Sequence, residues 1–265
     1  MYPFDYQRPT TLSEALEILR TDVEPRLLAG GQTLLPAMKH RLTAHSTLID
    51  LQAITALRGI TVQDTTITIA AMTRHAEVAA STDILARIPA LSALAGGIAD
   101  PLVRNMGTLG GSVANNDPAA DYPAAVLALD ATIHTDRRQI AADVFFTGMF
   151  STALQRDEIL TAISFRRPDA AGYFKVPNPA SGYVTCGAFV ARFGAITRVA
   201  INGAGPCVFR DSAAEAALSA DFTPDIARTL RFDPEELNED LHAAKTYRAQ
   251  ILPHVIRRAV IRALA

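Results

Sequence analysis

The chain has 265 residues, 49% hydrophobic and 20% charged, a make-up that supports two or three packed lobes and excludes a disordered chain. A formal net charge of -2 with no long Lys/Arg block excludes the basic face that nucleic-acid binding needs to displace counterions. No apolar run reaches the roughly 18 to 20 residues of a membrane-spanning helix, and the opening MYPFDYQRP has neither a basic n-region nor an apolar h-region, so a cytoplasmic location is expected, with proteins and small molecules as partners.

In chain order, TTLSEALEIL predicts a first helix, capped by Thr11 or Ser13, with Leu12, Ala15, Leu16 and Leu19 on one face. A short apolar strand is expected at 26–29. It is followed by AGGQTLLPAMKHRL, where two glycines precede a helix and Pro36 suits the first turn because its missing N–H would be unpaired there. STLIDL reads as the next strand, making residues 1–56 a small α/β lobe. RGITVQDTTITIAAMT alternates and is rich in β-branched residues, which predicts two antiparallel strands with a turn near Asp64. Helices are expected from about Thr73 to Ala80 and in IPALSALAGGIA. A second glycine loop, GTLGGSVANN, leads into a helix in DPAADYPAAVLALD, for which Asp117 and Pro118 would supply the N-cap and first-turn proline. Strands in ATIHT and EILTAISFRRP close a larger α+β lobe, residues 57–168. Residues 169–265 read as a C-terminal α+β lobe: a three-stranded sheet that includes YVTCGAFVARF and AITRVAINGA, then helical patterning through KTYRAQILPHVIRRAVIRALA. No repeat or low-complexity linker separates the lobes, so close packing is expected.

A glycine pair between strand and helix lets backbone N–H groups approach an anion without Cβ interference, and the helix N-terminus adds partial positive charge. The first loop therefore suits a phosphate, or equally a plain turn. It has neither the G-x-G-x-x-G spacing nor the Gly-Lys-Ser/Thr of a P-loop. The second loop sets Thr108 and Ser112 beside Gly110 and Gly111, so two backbone cradles on different lobes could close on one diphosphate. Asp121 either accepts hydrogen bonds from sugar or ribityl hydroxyls or simply favours the N-terminus of its helix. Cys186 and Cys207 are too few for a four-thiolate cluster and are expected as buried reduced thiols. With no G-x-S-x-G, no H-E-x-x-H and no metal-ligand spacing among six histidines, no catalytic or metal-ligating residue is assigned. His75 reads as structural, and VIRRAVIRA as a solvated face in preference to a partner-facing one.

LLAGGQTLLPAMKHRL, IAAMTRHAEVAAS, RNMGTLGGSVANNDPAADYPAAVLALDA and EILTAISF, in that order and spacing, resemble the FAD-binding medium subunit of the molybdenum hydroxylases. That family includes carbon monoxide dehydrogenase and the multi-subunit xanthine dehydrogenases, and the resemblance runs over nearly the whole chain. It implies an α+β FAD-binding fold of the vanillyl-alcohol-oxidase (PCMH) type, two lobes clasping FAD plus a C-terminal α+β lobe. Carried over by position, Leu28, Ala29, Gly30, Gly31, Gln32, Thr33 and Leu34, with Thr108, Leu109, Gly110, Gly111 and Ser112, would surround the diphosphate. Asp121 would meet the hydroxyl-bearing chain, and Leu160 and Lys175 would touch the flavin. Tyr183 matches a tyrosine near the isoalloxazine or is a sheet tyrosine, and Ile98 stands where relatives carry an aromatic FAD contact. The resemblance further implies an electron-transfer subunit, passing electrons from [2Fe-2S] clusters of a small subunit through FAD to an external acceptor. A large subunit would carry the molybdenum cofactor, in a dimer of heterotrimers. A self-sufficient flavin oxidoreductase and a non-catalytic nucleotide-binding assembly protein are the alternatives.

Overall fold

Thr11 opens the first helix with a reciprocal cap: its hydroxyl accepts from the Glu14 N–H at 3.2 Å, and the Glu14 carboxylate accepts from the Thr11 N–H at 3.3 Å. The structure, a computed structural model, describes residues 1–265. Its first lobe runs β1 (Asp5–Gln7), α1 (Leu12–Thr21), β2 (Pro25–Leu28), α2 (Leu34–Lys39) and β3 (Thr47–Asp50). The strands form a parallel sheet in the order β1-β3-β2. Ala15 and Leu19 of α1 bury against Ile49 and Leu51, and the same cluster takes in Met72 and Ile159 from the next lobe.

The second lobe is built on β4 (Ile60–Val62), β5 (Thr66–Ala70), β6 (Thr132–Thr135), β7 (Gln139–Ala141) and β10 (Leu160–Arg166), with a small hairpin of β8 (Phe146–Gly148) and β9 (Ser151–Thr152). The five strands of its main sheet are antiparallel in the order β4-β5-β10-β6-β7, with the turn between β4 and β5 at Asp64 as expected. Between β5 and β6 lie α3 (His75–Ala80), α4 (Thr82–Arg87), α5 (Pro89–Gly96), α6 (Pro101–Met106), α7 (Leu109–Asn115) and α8 (Tyr122–Ala128). Every residue of α8 is buried, as an all-apolar helix must be. It begins at Tyr122, with Pro123 in its first turn, and Asp117 and Pro118 lie ahead of it, contrary to expectation. The Asp117 carboxylate instead closes a local turn, accepting from the Ala119 N–H at 2.9 Å, and a tertiary contact takes the Pro118 carbonyl, which accepts from the Gly203 N–H at 2.8 Å.

The third lobe contains β11 (Ala170–Pro177), β12 (Val184–Phe193), β13 (Ile196–Asn202), β14 (Phe209–Arg210), α9 (Ser212–Ala220) and α10 (Lys245–Ala263). Its antiparallel sheet has four strands, not three; the two-residue β14 is too short to show alternation. The helical patterning expected after the sheet is realised in α9 and α10, while residues 226–229 and 234–236 between them form short 3-10 turns. Along β12, Phe189 and Ala191 join the second-lobe core, while Cys186, Ala188 and Val190 pack with Leu252, Val255 and Ile256 of α10. Burial on both faces explains the unbroken apolar run. Arg258 and Arg262 turn back over the Phe174 ring, at 5.8 and 4.9 Å, so the basic side of α10 is partly spent within the lobe. No helix is long and apolar enough to cross a membrane.

The first two lobes meet at the glycine loops. A Cβ on Gly30 would stand 2.2 Å from the Met106 carbonyl oxygen and 2.6 Å from Gly107 Cα, and one on Gly110 would stand 2.5 Å from Ala71 Cβ. These glycines serve chain-on-chain approach. Gly30→Ala and Gly110→Ala are each expected to destabilise the fold by about 1–3 kcal/mol. Gly96→Ala, whose nearest contact is 3.8 Å away, should be neutral or stabilising in the same urea titration.

A second expectation concerns acid. The buried Glu158 carboxylate accepts from Arg138 Nε and Nη2, both at 2.8 Å, from Thr135 Oγ1 at 2.8 Å and from the Gln155 N–H at 2.9 Å. The Arg138 hydrogen bonds lead in holding its pKa down to about 2, against the opposing effect of burial. A depressed carboxyl contributes stability that is complete above its unfolded value near pH 4.5 and is lost as pH falls through about 2. Glu158→Gln should flatten the fall in unfolding free energy across that window, by about 2–3 kcal/mol, in urea titrations at pH 2, 4.5 and 7.

Candidate cofactor site

A cleft of about 740 Å³ lies between the first two lobes, within the usual size range of ligand sites. Ala29, Gly30, Gly31, Gln32, Thr33 and Leu34 line it from the first loop, and Thr108, Gly110, Gly111 and Ser112 from the second. Asp121, Leu160 and Tyr183 complete the set of expected residues that reach it, and Ile98 lines it as well. Three do not. Leu28 packs with Met38 and Leu48, Leu109 lies in the second-lobe core, and Lys175 is drawn to Asp121. A second cavity, also about 740 Å³, lies beside α10 and is lined by Arg228, Arg231, His254 and Arg257. Arg228 there pairs with Asp225 at 3.2 Å and Arg231 donates to the carbonyls of Arg228 and Leu230, so both of these cations are already engaged.

The two glycine loops differ in what they offer a ligand. Gly31, at φ +71°, turns the chain after β2, and the N–H groups of residues 30–34 donate to no protein acceptor. In the second loop the amides are consumed: Leu109 donates to Thr73 O at 3.0 Å, Gly110 to Ala71 O at 2.8 Å, Gly111 to Thr108 Oγ1 at 3.2 Å and Ser112 to Thr108 O at 3.1 Å. The expected pair of backbone cradles is therefore one amide cradle facing a wall whose donors are the hydroxyls of Thr108 and Ser112. The physical reason is that Gly110 lies so close to β5 that its N–H finds a carbonyl there.

Asp121 occupies the N-cap position of α8, yet its carboxylate caps nothing. The Tyr173 hydroxyl donates to Oδ1 at 2.8 Å, and Lys175 Nζ stands 2.8 Å from the same oxygen while also donating to the Gly182 carbonyl at 2.9 Å. Asn202 Nδ2 donates to the Tyr173 oxygen at 3.3 Å and to the Ala120 carbonyl at 2.7 Å. Oδ2 receives no protein donor, and Asp121 forms part of the cleft wall. Burial pushes the Asp121 carboxyl up, opposed by the Lys175 charge and hydrogen bond and by the Tyr173 hydroxyl. Tyr173 itself is pushed well above its ordinary value, by burial and then by Asp121, and so remains a donor.

Of the further residues that line the cleft without having been singled out as ligand contacts, His75 and Phe150 bear on its chemistry and shape. His75 is 5% exposed, its Nδ1 has no partner, and its ring lies 5.2 Å from that of Tyr122. Burial, then Arg104, lowers its pKa to about 4, so it is neutral at pH 7. Its backbone N–H donates to the Gly107 carbonyl at 3.0 Å, tying the start of α3 to the second glycine loop. Phe150, at φ +53°, sits on the β8–β9 hairpin with much of its ring exposed. Asn116 pins that hairpin, donating to the Gly148 and Ser151 carbonyls at 2.8 Å each and accepting from the Phe150 N–H at 3.1 Å. The only sequence signal is the Asn115-Asn116 pair, a residue type that tolerates the left-handed backbone Asn116 adopts.

Residues 2–167 match the family described as the FAD binding domain in molybdopterin dehydrogenase. The chain is 33% identical over 274 residues to the carbon monoxide dehydrogenase medium chain of Hydrogenophaga pseudoflava, spanning 97% of this chain and 96% of that protein. It is 31% identical to the nicotine 6-hydroxylase medium subunit of Paenarthrobacter nicotinovorans, with 97% and 96% covered. The solved carbon monoxide dehydrogenase from Hydrogenophaga pseudoflava that lacks the Mo-pyranopterin moiety of its molybdenum cofactor matches with a TM-score of 0.88 at 32% identity, covering 100% of this chain and 99% of that one. The three-lobe architecture is thus the FAD-binding fold of the PCMH type. The chain belongs to the family of FAD-binding domains of the molybdopterin dehydrogenases, oxidoreductases in which this component carries FAD.

Proposed function

We propose that the chain is the electron-transfer subunit of a heteromeric molybdenum hydroxylase, linking the [2Fe-2S] clusters of a small subunit to an external acceptor through FAD. A large subunit would hold the molybdenum cofactor, in a dimer of heterotrimers in the cytoplasm. The observation that carries this reading is the interlobe cleft: free amides on one loop, hydroxyls on the other and a buried carboxylate, in a chain that matches medium subunits end to end. Its two cysteines are too few for an all-thiolate cluster, and burial pushes the Cys186 thiol up to about 12.

Bound FAD supplies the reversible redox chemistry that side chains lack. The chain's own residues hold and orient it. The N–H groups of residues 30–34 would donate to diphosphate oxygens, and the Thr108 and Ser112 hydroxyls would donate from the facing wall. Asp121 Oδ2 would accept from a ribityl hydroxyl, a role that suits a carboxylate better than one beside phosphates, which it would repel when ionised. Leu160 and Tyr183 offer apolar and aromatic surface to a planar ring. Neutral His75 adds no charge to the cleft at pH 7.

Apo-protein titrated with FAD is expected to bind one equivalent, with FMN at least tenfold weaker, roughly 1.4 kcal/mol, because FMN lacks the diphosphate and adenosine. Gly31→Val should cost more affinity than Asp121→Ala, which removes one charge-assisted hydrogen bond worth about 1.5–3 kcal/mol. Equal FAD and FMN affinity would remove the cradle assignment. Under anaerobic conditions, organic substrates of the hydroxylase class should bleach the flavin only when the small and large subunits are added. Bleaching in the chain alone would instead establish a self-sufficient oxidoreductase, and FAD binding without redox cycling in the full mixture an assembly protein.

A further inference from the structure

Three strands of the C-terminal sheet converge on one point of the cleft wall. Lys175 on β11, Gly187 on β12 and Asn202 on β13 stand in one row across the sheet. Tyr173, two residues before Lys175, faces the same side. The middle position of that row carries no side chain: a Cβ on Gly187 would lie 2.4 Å from Asn202 Oδ1 and 3.1 Å from the Tyr173 hydroxyl. A glycine inside a largely buried strand therefore makes room for the polar contact between Tyr173 and Asn202. Tyr173 in turn reaches Asp121, while its ring stacks 6.0 Å from that of Phe189.

Lys175 does two things at once. It stands against Asp121 Oδ1, and it holds the Gly182 carbonyl of the turn that carries Tyr183. That turn is closed by Gly182 donating to Asn178 O at 2.8 Å and Asn178 donating to Tyr183 O at 2.7 Å, with Gly182 at φ +72°. Both Asp121 and Tyr183 line the cleft, whereas Lys175 does not.

On the reading that the cleft holds FAD, we propose that Tyr173 and Lys175 are positioning residues for the cofactor: together they occupy Asp121 Oδ1, present Oδ2 alone to the cleft, and make the C-terminal lobe part of the flavin site. Lys175 acts through Asp121 and the Tyr183 turn. Because the same contacts dock the lobe, cofactor occupancy and lobe docking favour one another reciprocally.

The test is a double-mutant cycle on the full-length apo-protein, read as the FAD dissociation constant. Tyr173→Phe keeps the packed ring and removes only the hydroxyl. It should weaken FAD about 5–10-fold when Asp121 is present and less than about twofold in an Asp121→Asn background. Lys175→Met should show the same dependence on Asp121. Equal losses in both backgrounds, or no loss from Tyr173→Phe, would overturn the positioning role, and a Lys175→Met loss that persists in the Asp121→Asn background would mean direct contact with the flavin. If Lys175→Met does not fold, the Tyr173 and Asp121 pair decides alone. Wild-type protein that fails to bind FAD would overturn the cofactor reading itself, an outcome distinct from additive losses in protein that binds it.

Discussion

Where Gly30 meets Met106 and Gly107, two backbones lie too close to admit a methyl group, and the arrangement of the cleft follows from that approach. It fixes the first loop against the second, and Gly110 repeats the constraint between the second loop and β5. Once Gly110 is pressed onto Ala71, its amide and that of Leu109 pair with carbonyls at the end of β5 and are lost to any ligand. The first loop has no such neighbour for its donors. One side of the cleft is left rich in unpaired N–H groups and the other in hydroxyls, a difference that arises from packing and not from composition, since both loops carry a glycine pair.

The C-terminal lobe contributes both core and polarity. Its sheet is covered by α10 on one face and by α8 and its neighbours on the other, so the lobe shares the large apolar cluster of the second lobe. Within that junction lies a carboxylate that burial alone would drive towards the neutral form. A lysine at 2.8 Å and a tyrosine hydroxyl at 2.8 Å oppose that drive. Such pairs add little net stability over an apolar replacement, because desolvation offsets attraction, but they fix geometry when each partner has further hydrogen bonds. Lys175 has Gly182 and Tyr173 has Asn202.

Much of this fold is legible in the sequence because its signals are local. The capping box at Thr11, the alternation around Asp64 and the long apolar stripe of α10 each depend on residues within a turn or two. Asp117-Pro118 misleads for the complementary reason: it has the form of a helix start, but a glycine in the C-terminal lobe takes the Pro118 carbonyl. The glycine loops are visible as motifs, whereas the consumption of the second loop's amides by Thr73 and Ala71 is not, because those carbonyls belong to another segment. The likeness in motif order indicates most cleft residues, yet Leu28 and Leu109 face core, and Lys175 meets a carboxylate. Side-chain direction at a lobe junction is decided by partners the local pattern does not contain.

The complete burial of α8 bears on where this protein could be cut. The matched family region ends at residue 167, just before β11, and that match taken alone would make the point the edge of a module. Energetically it is an interior. The outer side of α8 is covered by β12 and β13, and Phe189, Ala191 and Ala200 close the same apolar cluster from beyond the boundary. A chain ending there would present a contiguous greasy surface to water, the kind that drives aggregation. Exchange of C-terminal lobes between related proteins, by recombination or by engineering, would therefore require the two sides of that seam to change together.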